Sequence, residues 1–246
     1  MSKTIALLIL LLPGAASAAA CGGSNGPTGP TTGVARLSRT RFMAFGDSFT
    51  AGEVTSPVAQ APGVAHRLVV LPSASYPAVL QVQLQAAYPA QASAISIVNS
   101  GEPGERILDG VQRFPSALDA SRPEVVLLME GANGLPGVGP DISASLMRIM
   151  VLGARNGRAR VFVGSMIPQV PGRPRATTPE FELLNYNRTL KQMSIEEGAR
   201  FVDLYNAMLP EAATLIGSDG LHPTEAGYRR IADLFFAAIR AQLEEK

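Results

Sequence analysis

Residues 42–53 read Phe42-Met43-Ala44-Phe45-Gly46-Asp47-Ser48-Phe49-Thr50-Ala51-Gly52-Glu53. Four apolar residues run without a break and stop at a glycine, an aspartate and a serine. A short continuous apolar run bounded by turn residues is the pattern of a strand buried on both faces, as in a parallel sheet. Glycine then lets the chain turn sharply. Ser48 is expected where that strand ends and a helix begins, with its backbone N–H free to face negative charge.

Short runs rich in Val, Ile, Leu or Phe follow at Ile95–Val98, Val125–Met129, Val161–Val163 and Phe201–Leu204. Between and after them lie helical patterns at Tyr76–Tyr88, Glu105–Ala120, Ile142–Ala154, Phe181–Glu197 and Thr224–Leu243. In the second of these, Pro115 is expected to break the helix. The last places Tyr228, Ile231, Leu234, Phe235 and Ile239 at helical spacing. Strand followed by helix, five times over, predicts crossover connections and an open parallel five-stranded sheet with helices on both faces. Chemistry in that architecture gathers beyond the carboxyl ends of the strands.

The chain has 246 residues, ample for a sizeable core, and 46% of them are hydrophobic. That apolar content excludes intrinsic disorder as the overall state. A net charge of +1 gives no electrostatic reason to expect a nucleic-acid partner. Two histidines and one cysteine cannot build a Cys/His zinc cluster, and Cys21 has no second cysteine to pair with.

The amino-terminal end has an order of its own. Lys3 is the only charged side chain before Arg36, an apolar run spans Ile5–Leu12, and small residues lead from Ala15 to Cys21. This is the order of a secretory signal peptide over residues 1–20; the run is too short, and interrupted too soon by Pro13, to be a permanent membrane span. The segment also resembles a bacterial lipoprotein signal, although Ala18 stands where that motif usually has leucine. The resemblance implies lipidation of Cys21 and an envelope protein held at the membrane. Cleavage after Ala18 or Ala20, leaving a soluble periplasmic or secreted protein, is the alternative. Residues 21–40 are expected to be a flexible tether, rich in glycine, proline and threonine over 22–35, and the folded domain to span 41–246.

Four glycine-bearing segments follow the apolar runs. Gly46-Asp47-Ser48 offers a hydroxyl at a strand end, where a helix cap is the plainer reading. Asp219-Gly220-Leu221-His222-Pro223 places an aspartate and a histidine three apart, close enough to meet side chain to side chain. A serine hydroxyl needs an adjacent base to attack at neutral pH, imidazole has an unperturbed pKa near ~6.5, and a carboxylate can hold its tautomer. Asn99–Gly104 and Gly131–Gly134 offer a glycine N–H and an asparagine amide that could converge on one oxygen. Plain turn chemistry is the simpler account of both.

Together, FMAFGDSFTAGE, VNSGEPGE, EGANG and DGLHPTEAGY resemble the four blocks of the GDSL, or SGNH, hydrolases, in family order from about residue 41 to 235. The resemblance implies a flavodoxin-like three-layer αβα fold and a serine esterase or lipase needing no cofactor or metal. It implies Ser48 as nucleophile, His222 as base and Asp219 as the acid orienting it. The oxyanion hole would comprise the Ser48 N–H, the Asn133 amide and the Gly104 N–H, with Gly101 as the other alignment. The family usually has aspartate after that asparagine, and here Gly134 stands in its place.

The expected activity is hydrolysis of small esters or acylated substrates through an acyl-enzyme. A deacetylase of envelope or extracellular polysaccharide and an inactive scaffold on the same fold are the rivals. His66 is expected to be a solvated loop residue, Asp47 to bond nearby backbone, and Arg173 and Arg175 to be solvated or to meet an anionic substrate.

Overall fold

The computed structural model describes residues 34–56 and 67–245. The expected signal segment, Cys21, most of the expected tether and His66 lie outside the described residues. The chain opens with β1 (Arg36–Leu37), then β2 (Arg41–Gly46), a single turn of helix α1 (Ser48–Ala51), and the antiparallel pair β3 (Glu53–Thr55) and β4 (Leu68–Val70). Helix α2 (Tyr76–Ala87) leads to β5 (Ser96–Gly101), and α3 (Ile107–Ser121) to β6 (Val125–Met129). A short α4 (Leu135–Val138) and a long α5 (Pro140–Asn156) precede β7 (Arg160–Gly164). Then come α6 (Glu180–Glu196), β8 (Arg200–Val202), α7 (Leu204–Met208), α8 (Ala212–Leu215), α9 (Glu225–Leu243) and β9 (Glu244–Glu245).

The central sheet has the order β5-β2-β6-β7-β8, and every pairing in it is parallel. Numbered within the sheet this is 2-1-3-4-5, the flavodoxin-like order. The strand order reverses between β2 and β6, so a crevice opens there beyond the strands' carboxyl ends. Helix α2 packs on α9, while α5 packs on both α3 and α6, which gives the two helical layers.

Val125 to Met129 are all fully buried, as a continuous apolar run requires of a central strand. Each such side chain removed from water contributes roughly 1.5–3 kcal/mol. Strand β5 differs from the expectation. It lies at the sheet edge, and Val98 is 44% exposed, so this run is not buried on both faces. Helix α3 also differs, because it continues through Pro115. The proline sits on the exposed side of the helix, where solvent can serve the carbonyl that its missing N–H leaves free.

The fold begins before Arg41. β1 pairs with β9 antiparallel, the Gln91 side chain bonds both the N–H and the C=O of Leu37, and Leu37 is buried. Residues 34–40, the end of the expected tether, therefore belong with the folded part, because burying Leu37 and bridging both chain ends outweigh the freedom of the segment.

Candidate active site

The serine enters the site from the turn between β2 and α1. Asp47, not Ser48, is the helix cap: its carboxylate accepts the Phe49 N–H at 3.0 Å. Ser48 becomes the first helical residue, and its N–H is among those a helix leaves unpaired at its start. Gly46 has no room for a side chain, since a Cβ there would lie 1.8 Å from the Met129 carbonyl oxygen. Strands β2 and β6 thus approach closely behind the serine.

The histidine arrives 174 residues later in sequence. His222 Nε2 lies 3.0 Å from Ser48 Oγ, and His222 Nδ1 lies 2.6 Å from Asp219 Oδ2. The other Asp219 oxygen accepts the Leu221 and His222 N–H groups at 3.0 and 3.1 Å, which fixes the carboxylate on its own loop. The Phe49 ring meets the imidazole edge to face at 5.8 Å. Thr224 caps α9 through the Gly227 N–H, so His222 is not needed as a cap. All three polar residues are buried: Ser48 is 1%, Asp219 0% and His222 2% exposed.

Residues 44–230 match the model of the GDSL-like lipase/acylhydrolase family. The chain belongs to that family. It is accordingly a carboxylic ester hydrolase, on the α/β fold with a five-stranded parallel sheet described above. No curated protein matches the chain in sequence. Among solved structures, a lipase/acylhydrolase from Enterococcus faecalis is 21% identical over 84% of this chain and 98% of its own, with a TM-score of 0.61. An acetylxylan esterase from Geobacillus stearothermophilus is 24% identical over 82% of this chain and 94% of its own, with a TM-score of 0.63. At these identities the likeness is one of fold.

Against the GDSL pattern, the two glycines considered for the oxyanion position separate clearly. The Gly101 N–H is taken by the Asn99 side chain at 3.0 Å, and a Cβ on Gly101 would lie 2.1 Å from the Ala51 nitrogen. Gly101 is where α1 crosses β5, and its donor is engaged. Gly104 stands in the loop beyond β5 with φ of 78°, a conformation that favours glycine, and no atom lies within 4 Å of where its Cβ would be. The Asn133 amide donates one hydrogen bond to the Glu105 carbonyl at 3.0 Å, and an amide NH2 has a second N–H to give.

Gly134 replaces the family aspartate, yet the loop is held in another way. Asp47 Oδ2 accepts the Gly131 and Ala132 N–H groups at 3.2 and 2.9 Å. The Tyr186 hydroxyl donates to the Glu130 carbonyl at 3.1 Å. Asp47 therefore bonds not only its own turn, as expected, but also backbone 84 residues away.

The charges are held by identifiable partners. Burial pushes the Asp47 carboxyl up to about 6, against the opposing effect of its three N–H donors. Burial also pushes Glu130 well above the ordinary carboxylate range, with the nearby Asp47 and Glu105 charges adding to it. For Asp219, burial is the largest influence and acts upward. The hydrogen bonds from the His222 ring and from the Leu221 and His222 N–H groups, with the His222 charge, bring it below its usual value. For His222, burial acts downward, but Asp219 and Glu53 together raise it to about 9.

Several positioning groups were not singled out from sequence. Arg113 grips Glu105 with two contacts of 2.6 Å and donates to the Ser100 carbonyl at 3.0 Å. It thereby fixes the loop whose Glu105 carbonyl receives Asn133. Glu53 lies 3.3 Å from His222 Nε2. The only signal for either was spacing: Glu105 and Arg113 stand two turns apart about the start of a helix, and Glu53 ends the first block. Arg175, by contrast, was considered and lies behind the acid, its N–H bonding the Asp219 carbonyl at 2.8 Å and its Nε 3.9 Å from Asp219 Oδ2. Among the described residues no cluster of His, Cys, Asp and Glu could hold a metal ion.

Proposed function

We propose that the protein is a serine esterase that works through Ser48, His222 and Asp219. The observation that carries this is the single imidazole bridging a carboxylate at 2.6 Å and a hydroxyl at 3.0 Å. His222 takes the Ser48 proton as Oγ attacks the acyl carbonyl, and the alkoxide leaves with that proton. Water then attacks the acyl-enzyme, again with His222 as base, and the carboxylic acid departs. The Ser48 N–H, the Gly104 N–H and the Asn133 amide receive the oxyanion of each tetrahedral intermediate. Asp219 keeps the Nδ1 tautomer and stabilises the imidazolium.

The same site suits an acetyl ester on a sugar, the second reading, which the acetylxylan esterase among the structural neighbours supports. Purified protein assayed on a p-nitrophenyl ester series and on acetylated xylan, with Ser48→Ala as the blank, separates the two. Turnover confined to acetylated sugar favours the deacetylase, and turnover of simple esters of several chain lengths favours the general esterase. No activity on either, with wild type equal to Ser48→Ala, would contradict both.

For location, the reading is export followed by lipid anchoring at Cys21. Its support is the order of Lys3, the Ile5–Leu12 run and the small residues before Cys21. Among the described residues no helix is long and apolar enough to cross a membrane.

A further inference from the structure

The histidine of this site touches two carboxylates, not one. Asp219 Oδ2 lies 2.6 Å from Nδ1, and on the other side Glu53 Oε2 lies 3.3 Å from Nε2, beside Ser48 Oγ at 3.0 Å. Glu53 begins β3, directly after Gly52 ends α1 in the left-handed conformation. Its backbone carbonyl accepts the Tyr228 hydroxyl from α9 at 2.7 Å, and its side chain is 15% exposed. The backbone of Glu53 is therefore fixed by the turn on one side and α9 on the other, with its carboxylate against the ring.

The arrangement constrains where a proton sits. In a neutral imidazole with hydrogen on Nδ1, Nε2 offers only a lone pair, and an ionised carboxylate also only accepts. Two acceptors at this distance repel unless a hydrogen lies between them. A hydrogen on Nε2 satisfies both Glu53 and, through its hydroxyl oxygen, Ser48. It also gives each face of the imidazolium a counter-charge.

Resting on the Ser48–His222 reading given above, we propose that Glu53 is a positioning residue for the base: its carboxylate holds a proton on His222 Nε2 in the resting enzyme and so sets the pH above which Ser48 can be activated. The productive state forms when the Nε2–H bond breaks and hydroxide carries the proton away as water. The freed lone pair then accepts the Ser48 proton as the Oγ–carbon bond forms. The surroundings agree with this. His222 is faced by Asp219 from its own loop, by Glu53 from β3 and by Ser48 and Phe49 from α1. The Asp47 charge is felt through the turn, Tyr228 approaches from α9, and the cation near Asp219 is Arg175. Carboxylates outnumber cations about the ring, and they raise it to about 9 although burial acts the other way.

The test is the pH dependence of kcat/KM on p-nitrophenyl acetate for wild type, Glu53→Gln and Glu53→Asp, with Ser48→Ala as the blank. Wild type should have its acid limb well above that of a free imidazole, near pH 9. Its rate at pH 7 should lie on the order of a hundredfold below the alkaline plateau. Glu53→Gln should move the limb down by about one pH unit or more and raise the rate at pH 7 by about tenfold. Glu53→Asp, with its carboxylate one methylene further from the ring, should move the limb the same way by less. A limb within about 0.3 pH unit of wild type in Glu53→Gln would overturn the proposal. So would a wild-type limb near ~6.5, a result that needs no variant to fold. Activity surviving in Ser48→Ala is a different failure, that of the nucleophile assignment itself.

Discussion

Asp47 Oδ2 accepts the Ala132 N–H at 2.9 Å, so the residue beside the serine holds the loop that carries Asn133. One carboxylate thus spans the crevice between β2 and β6 and sets the distance between two parts of the site. Asp47→Ala should remove three backbone hydrogen bonds at once and lower kcat by about tenfold or more through misplacement of Asn133. Asp47→Asn, which keeps some of those bonds, should fall between that variant and wild type. Steady-state kinetics of the two variants checks this; equal rates in wild type and Asp47→Ala would separate the loop from the site.

The same carboxylate predicts how stability changes with pH. Asp47 is raised to about 6, so the folded state binds its proton more tightly than the unfolded chain does. Stability should therefore fall as pH rises from about 4 to 6. His222, raised to about 9, contributes stability that is fully present below ~6.5 and lost as pH rises to about 9. Melting temperature should decline across pH 5–9. Asp47→Asn should flatten the lower half of that decline and leave the upper half. A melting temperature rising through pH 5–7 contradicts the assignment.

Asn133 and Gly134 are tested together. If the Asn133 amide donates to the oxyanion, Asn133→Ala should lower kcat by ~10²–10³ with little change in KM. Gly134 has φ of −119°, and a Cβ there would meet Ile107 at an ordinary 3.4 Å. Gly134→Asp should therefore fold. It should bring no gain in kcat, because Asp47 and the Glu105 carbonyl already hold the loop. A marked gain would mean that the loop is slack.

Arg113 bears on the same asparagine through Glu105, whose carbonyl receives the Asn133 amide. Arg113→Met removes both contacts to Glu105 and leaves a mostly buried carboxylate without its partner. The expected result is a loss of kcat with a lowered melting temperature. Arg113→Lys should restore part of the stability but less of the rate, since an ammonium cannot reproduce the two-pronged contact. A loss of stability with unchanged kcat would confine Arg113 to the fold.

How much of this could be read from sequence depended on the range of the interactions. The runs at Val125–Met129 and Val161–Val163 announced themselves because a strand covered on both faces must be apolar throughout. Ser48, Asp219 and His222 were legible because each follows a strand or precedes a helix inside a short local motif. The edge position of β5 had one trace in the sequence: Ser96 interrupts the Ile95–Val98 run and is exposed, whereas the runs of β6 and β7 hold no polar residue. The continuity of α3 through Pro115 depended on which side of the helix the proline would face. Glu53 and the reach of Asp47 to Ala132 act across elements far apart in the chain, which no local pattern records, and Arg113 meets a Glu105 that stands before its helix, outside the i, i+4 spacing.

Anchoring has its own test. Cys21→Ser should move the protein from the membrane fraction to the soluble fraction or block its processing, and labelled fatty acid should enter wild type only. A mature amino terminus at Ala19, without lipid, contradicts the lipoprotein reading.

The central claim is that Ser48 is the nucleophile activated by His222. Treatment with a fluorophosphonate followed by peptide mass spectrometry tests it most directly. The account predicts one adduct, on Ser48, absent from Ser48→Ala and formed at least ~10²-fold more slowly in His222→Ala. An adduct on another residue, or labelling undiminished in Ser48→Ala, would contradict it.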